Sequence, residues 1–214
     1  MTVRAQNTSH AVMAQRIEPR TSLDDFPTPP WAVRAMMETA EDVFAVRDKS
    51  VWEPACGRGD MARTLAEYMT GRVLASDIHD YGMGYPVLDY LKVSDNFDMR
   101  SHWIITNPPF RLAEEFAHRA LKSCGRGVAL LVRTGFLEGT KRFERLFGVY
   151  SPRLILHYAE RVPMVRGRLD RKASTATAYC WIIWDTWSCQ TPETRWIPPS
   201  RKRLERPEDY VRPE

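Results

Sequence analysis

Residues 50–70, SVWEPACGRGDMARTLAEYMT, read as an apolar strand, a turn with glycines at 57 and 59, and an amphipathic helix. Gly57 and Gly59 let the backbone come close to a ligand, and the start of the helix offers N–H groups without intrahelical acceptors. Taken alone, this pattern also fits an ordinary turn from a strand into a helix. The next strand, RVLASD (72–77), ends on Asp77, eighteen residues after Gly59. A carboxylate at that place can accept both hydroxyls of a ribose. No Gly-Lys-Ser or Gly-Lys-Thr follows the glycines, so the turn suits a nucleoside without a triphosphate.

The same alternation extends outward. Further strands are expected at 102–107, 127–133, 153–158 and 176–185, and helices over DMARTLAEYMT, RLAEEFAHRALKSC and TKRFERLFGVY. Apolar strands separated by amphipathic helices predict an α/β fold, a mostly parallel sheet with helices on both faces and ligands beyond the C-terminal strand ends. The run at 176–185 follows a loop with no helical pattern and is expected to be a hairpin partner of the strand before it. Upstream, the prolines of DDFPTPP enforce an extended approach, and Val33, Met36, Met37, Ala40 and Phe44 then recur at helical spacing. Residues 1–22 carry no stable period and are expected to be a flexible N-terminal arm. One core domain is expected over 23–186, followed by a Pro/Arg-rich tail over 187–214 that wraps the surface.

Composition narrows the class. The 214 residues are 43% hydrophobic, yet the longest apolar runs, VALLV and AYCWIIW, fall far below the roughly 18 residues of a membrane span. The N-terminus has no apolar h-region, and the cysteines at 56, 124, 180 and 189 form no CxxC pair. A soluble, cytoplasmic protein without membrane contact or metal site is expected, with its cysteines as small core hydrophobes. The net charge of +4 is unevenly spread: RVPMVRGRLDRK (161–172) sets Arg161, Arg166, Arg168, Arg171 and Lys172 against Asp170 alone, and RKRLER follows at 201–206. Such islands suit a polyanion.

A third motif, WIITNPPF (103–110), ends an apolar strand in two prolines and an aromatic ring. EPACGRGDM, with DFPTPP upstream and TNPPF downstream, resembles the S-adenosylmethionine-dependent amino-methyltransferases, above all the DNA adenine-N6 methyltransferases in their short phage and prophage format. The likeness runs from about Asp25 to Trp184. It implies a Rossmann-like class I methyltransferase fold with a seven-stranded sheet and an antiparallel last strand, and makes 23–186 the catalytic domain. It further implies that Glu53, Pro54, Ala55, Gly57 and Gly59 wrap the methionine part of the cofactor. Phe26, Thr28 and Pro29 would close over its carboxylate end, and Asp77 would bind the ribose. Asp89 would meet the adenine amino group, with Ile78 or Tyr90 against the ring, and Asn107 would border the cofactor. S-adenosylhomocysteine is the implied product.

The chemistry explains the motif. An exocyclic amino group is a poor nucleophile because its lone pair is delocalised, so two acceptors must hold its N–H bonds and aim the lone pair. The Asn107 side-chain oxygen and the Pro108 carbonyl fit that task, and their hydrogen bonds strengthen as charge moves onto the nitrogen. Pro108 and Pro109 stiffen the turn, and Phe110 offers a face on which a base can stack. An adenine in double-stranded DNA must be flipped out to reach such a site. In the resembling family the segment at 160–175 packs on the other side of the flipped base, where this chain has Arg161, Pro163 and Met164, while Arg166, Arg168, Arg171 and Lys172 suit phosphates. Methylation of adenine in ribosomal or transfer RNA is the alternative. Methylation of a protein glutamine and an inactive nucleic-acid-binding subunit are further readings.

Overall fold

The computed structural model describes residues 23–44, 50–94 and 101–211. The expected N-terminal arm, 1–22, lies outside them. Seven strands form one sheet: β1 (Val51–Glu53), β2 (Val73–Ala75), β3 (Trp103–Thr106), β4 (Gly127–Arg133), β5 (Leu154–Tyr158), β6 (Tyr179–Asp185) and β7 (Glu193–Ile197). Their order is β2-β1-β3-β4-β6-β5-β7. β6 runs antiparallel to both its neighbours, β4 and β5, and the remaining pairings are parallel. The sheet is therefore mostly parallel, as expected. β6 is the antiparallel strand expected at 176–185, whereas β7 arises from residues expected to be a surface tail and pairs parallel to β5 at the edge.

The period of two along each strand sorts its side chains between two cores. Val51, Trp103, Ile105, Leu131, Trp181 and Ile183 enter one. Trp52, Ile104, Leu130, Val132, Ile182 and Trp184 enter the other. The first core is covered by α1 (Pro30–Thr39), whose residues Pro30 to Met37 are all buried. This helix packs on α3 (Asp60–Leu65), on β7 and on α6 (Arg201–Leu204), which is why it reads as apolar nearly all round. A short α2 (Glu41–Phe44) follows it. The second core is covered by α4 (Ala113–Ser123), which buries Ala113, Phe116, Ala117 and Ala120, one stripe of a helix.

Two expected helices are shorter than their patterns. α3 stops at Leu65. The pattern at 140–150 gives one turn, α5 (Thr140–Arg142), and then a π-type stretch over Phe143–Phe147, where the Gly148 N–H reaches back five residues to the Phe143 carbonyl at 2.7 Å. Cys56 and Cys180 are buried, but Cys189, expected in the core, is exposed between β6 and β7. No helix among the described residues is long and apolar enough to cross a membrane.

One buried ion cluster joins distant parts of the chain. Arg34, 3% exposed on α1, donates to both carboxylate oxygens of Glu67 at 2.8 and 2.9 Å, to both of Asp209 at 2.8 Å, and to the Leu204 carbonyl at 2.8 Å. Asp209 is equally buried, so removing the guanidinium leaves a carboxylate without its counter-charge. Arg34→Ala is expected to lower stability by about 3–5 kcal/mol in urea denaturation. Arg203→Ala, which breaks the exposed pair with Glu38, should change it far less.

Candidate active site

The C-terminal ends of β1, β2 and β3 converge, and each delivers one polar residue: Glu53 closes β1, Asp77 stands two residues beyond β2, and Asn107 directly follows β3. These three line one cleft with Asp24, Asp25, Phe26, Thr28, Ala55, Gly57, Arg58, Asp60 and Tyr81. The glycine turn adopts the backbone its residues permit, with φ of +53° at Gly57 and +79° at Gly59. A Cβ on Gly59 would stand 2.2 Å from the Tyr85 hydroxyl oxygen, so this position accepts only glycine without moving the ring.

Asp77 fixes the turn. Its Oδ2 accepts the Gly57 N–H at 2.8 Å and its Oδ1 the His79 N–H at 3.0 Å. Burial pushes its carboxyl up, against the pull of those backbone bonds. A carboxylate offers about four lone-pair sites, so these two bonds leave acceptor capacity for a hydroxyl. Glu53 is 2% exposed. Burial, together with the charges of Asp60 and Asp77, holds its carboxyl well above the usual carboxylate range. Its Oε2 has no hydrogen-bond partner.

Asn107 is oriented by its amide. Nδ2 donates to the Phe26 carbonyl at 2.9 Å and lies 3.7 Å from the Met164 sulfur. Oδ1 is buried and unpartnered. The Pro109 carbonyl is taken by the Leu112 N–H at 2.8 Å, while no donor among the described residues reaches that of Pro108. Two acceptors therefore stand unused at one turn. The Phe110 N–H is capped by Asp24 Oδ2 at 2.6 Å, a role invisible in the motif itself. The Phe110 ring packs on Phe26 and Tyr179, with centroids 5.6 and 5.8 Å away. The Arg133 guanidinium lies 4.3 Å from its centroid, so the ring expected to offer a face to a base is partly covered.

Several expected site residues lie elsewhere. Tyr90 is 2% exposed and sits in the core between Trp52 and Phe116, so it cannot flank a ligand ring in the cleft. Asp89 caps its own turn through the Leu91 N–H at 3.1 Å and pairs with Lys92 at 2.9 Å, outside the cleft lining. The loop 78–86 explains this. It closes on itself, with the Leu88 N–H donating to the Asp77 carbonyl at 2.7 Å, and presents Tyr81 to the cleft in place of Asp89. Ile78 is 59% exposed on that loop. Met164, expected to face a base, is 7% exposed and buried against Thr28 and Asn107. Pro29 and Pro54 are buried supports. Arg161, Arg166, Arg168, Arg171 and Lys172 are all exposed, with Arg168 paired to Asp170 and Arg171 to Glu205. Their loop docks beside the cleft, because the Gly167 N–H donates to the Asp25 carbonyl at 2.8 Å.

No protein-family model matches the sequence, and no curated protein does. Solved structures match in fold. A modification subunit of a putative type I restriction enzyme from Vibrio vulnificus aligns over 85% of this chain and 49% of its own, with TM-score 0.56 and 18% identity. The methyltransferase subunit of a type I restriction-modification system from Streptococcus thermophilus gives 0.58 and 12% over 77% and 45%. A putative RNA methyltransferase from Pyrococcus horikoshii gives 0.55 and 16% over 82% and 94%. The fold is that of the Rossmann-like methyltransferases. This chain spans about half the length of the two restriction-system subunits, and at these identities the likeness carries the fold and not the substrate.

The raised Glu53 carboxyl has a consequence for stability. The folded protein keeps this proton at a pH where the unfolded chain has lost it, so the group's contribution to stability falls as pH rises from the unfolded value toward the folded one. Glu53→Gln removes that loss. Its melting temperature should exceed that of the parent by a margin that widens from pH 5 to pH 8 in thermal scans.

Proposed function

We propose that this chain transfers a methyl group from S-adenosylmethionine to the exocyclic N6 of adenine in double-stranded DNA. The observation that carries the reading is the buried Asn107 Oδ1, an acceptor without a donor at the mouth of a cleft built by a glycine turn. A buried, unpartnered polar atom costs about 1–3 kcal/mol, and an amino group offered by a substrate satisfies it.

The cleft suits the cofactor. S-adenosylmethionine supplies an electrophilic methyl group on a positively charged sulfur, and the cleft is lined by Asp24, Asp25, Glu53, Asp60 and Asp77. Glu53 and the glycine turn would hold its amino-acid part, and Asp77 its ribose. The inner void of this open cleft is about 50 Å³, room for a few waters, so the cofactor would extend from it past Tyr81 toward solvent.

The residues at the turn then orient the target. Asn107 Oδ1 and the Pro108 carbonyl accept the two N–H bonds of the adenine amino group. Because Phe26 and Met164 occupy Nδ2, the carboxamide cannot rotate to present a donor instead. The nitrogen becomes more positive as the new N–C bond forms, and the two acceptors bind it more strongly at that moment than before. Afterwards the nitrogen releases one proton. Phe110 stacks on the base once the Arg133 guanidinium has been displaced from its ring. The exposed cations of the loop at 160–175 grip phosphates beside the cleft, and 23–186 serves as the catalytic unit.

RNA adenine would use the same two acceptors, and substrate choice separates the readings. Labelled S-adenosylmethionine offered to unmethylated duplex DNA and to total RNA should leave its methyl on adenine N6 of the DNA. Asn107→Ala should lower the rate by about 10²–10³-fold. Label confined to RNA would reassign the substrate, and label on neither polymer with no cofactor binding would refute the reading.

A further inference from the structure

The charges lining the cleft are lopsided. Asp24, Asp25, Asp60 and Asp77 are the carboxylates beside a Glu53 that holds its proton, and Arg58 is the one base among the described lining residues. A sulfonium and an ammonium are welcome among carboxylates, but the α-carboxylate of an amino-acid end is repelled by them unless a cation meets it. Resting on the methyltransferase reading above, we infer that Arg58 is the receptor for the α-carboxylate of the cofactor.

Arg58 occupies the middle of the Gly57–Gly59 turn, which fixes its Cα at the mouth of the cleft. Its side chain is 29% exposed. Nη1 lies 2.9 and 3.3 Å from the two carboxylate oxygens of Asp25, and the guanidinium carbon stands 4.9 Å from the Tyr81 ring centroid. The head group is thus held between the segment carrying Asp25 and Phe26 and the loop carrying Tyr81. Phe26 in turn fixes Asn107, so this wall runs from the acceptor of the target amino group to the guanidinium.

Nη1 alone makes the contact with Asp25, and the rest of the planar fork carries no hydrogen bond among the described residues. A guanidinium has five N–H donors and matches a carboxylate bidentately. Asp25 keeps the fork in place in the free protein and stands where a second carboxylate would compete for it or share it. A phosphate of the nucleic acid is the other anion Arg58 could take. Its position favours the cofactor, because it lines the cleft and is largely covered, whereas Arg161, Arg166 and Lys172 are exposed on the loop beyond.

Two ligands isolate the interaction. S-adenosylhomocysteine carries the carboxylate, and 5′-methylthioadenosine has the same nucleoside and a thioether but no amino-acid end. Calorimetric titration of the full chain with each is the measurement. In Arg58→Gln the affinity for S-adenosylhomocysteine should fall about 10- to 100-fold, the range of a charge-assisted hydrogen bond, while that for 5′-methylthioadenosine stays within about twofold. Arg58→Lys, which keeps the charge without the fork, should fall between parent and Arg58→Gln. Equal loss of both ligands would make Arg58 a support of the turn and overturn the assignment. Unchanged affinity for S-adenosylhomocysteine with weakened DNA binding would give Arg58 to a phosphate and overturn it as well. A parent protein that binds neither ligand would refute the methyltransferase reading itself, and this assignment with it.

Discussion

The direction in which one carboxamide points governs the rest of the site. Asn107 has its amide hydrogens turned inward to the Phe26 carbonyl, and this leaves its oxygen buried without a partner. That orientation holds only while Phe26 stays where it is. The segment around Phe26 is held from three sides: Asp24 accepts the Phe110 N–H, Asp25 accepts from Arg58, and the Asp25 carbonyl accepts the Gly167 N–H. The strand end at Asn107, the glycine turn and the basic loop are thereby tied to a single extended stretch before α1. Preorganisation of this kind comes from covalent neighbours and tertiary contacts acting on the same few atoms.

The electrostatics of the cleft oppose folding. Burial first, and then the charges of Asp60 and Asp77 gathered beside it, hold the Glu53 carboxyl well above its ordinary range, against a weaker opposing pull from Arg63. A site kept in an unfavourable state by its surroundings is relieved by a ligand of opposite charge. Asp24, Asp25 and Asp77 are at the same time parts of the scaffold, through the Phe110 N–H, Arg58 and the Gly57 N–H.

Much of the fold could be read from the chain because burial on both faces leaves a simple mark, an unbroken apolar strand followed by a one-striped helix. WIIT, VALLV and CWIIW carry it without interruption. β7 does not. ETRWI alternates exposed and covered residues at a sheet edge, and short edge strands look like tail when flanked by proline. In the site, the residues at strand ends were legible because the sheet itself places them. Asp89 and Tyr90 were not, since the loop 78–86 folds back on Asp77 and no spacing reveals that reversal. Asp24 and Arg58 were missed for a related reason. Both sit inside the quoted motifs, but their partners lie 86 and 33 residues away in the chain, and local pattern carries no information on such meetings.

The cluster around Arg34 bears on the order in which the molecule is made. Its partners Glu67 and Asp209 lie 33 and 175 residues further along. As the chain leaves the ribosome, α1, α3 and the sheet emerge well before the second carboxylate does. Until then the guanidinium lacks its more buried counter-charge. The wall carrying Phe26 runs directly into α1 through Pro29, so a nascent chain that has not yet reached Asp209 has its strands but not this support of its cleft. The support behind the cleft is therefore completed by a contact between α1 and a segment 175 residues further along the chain.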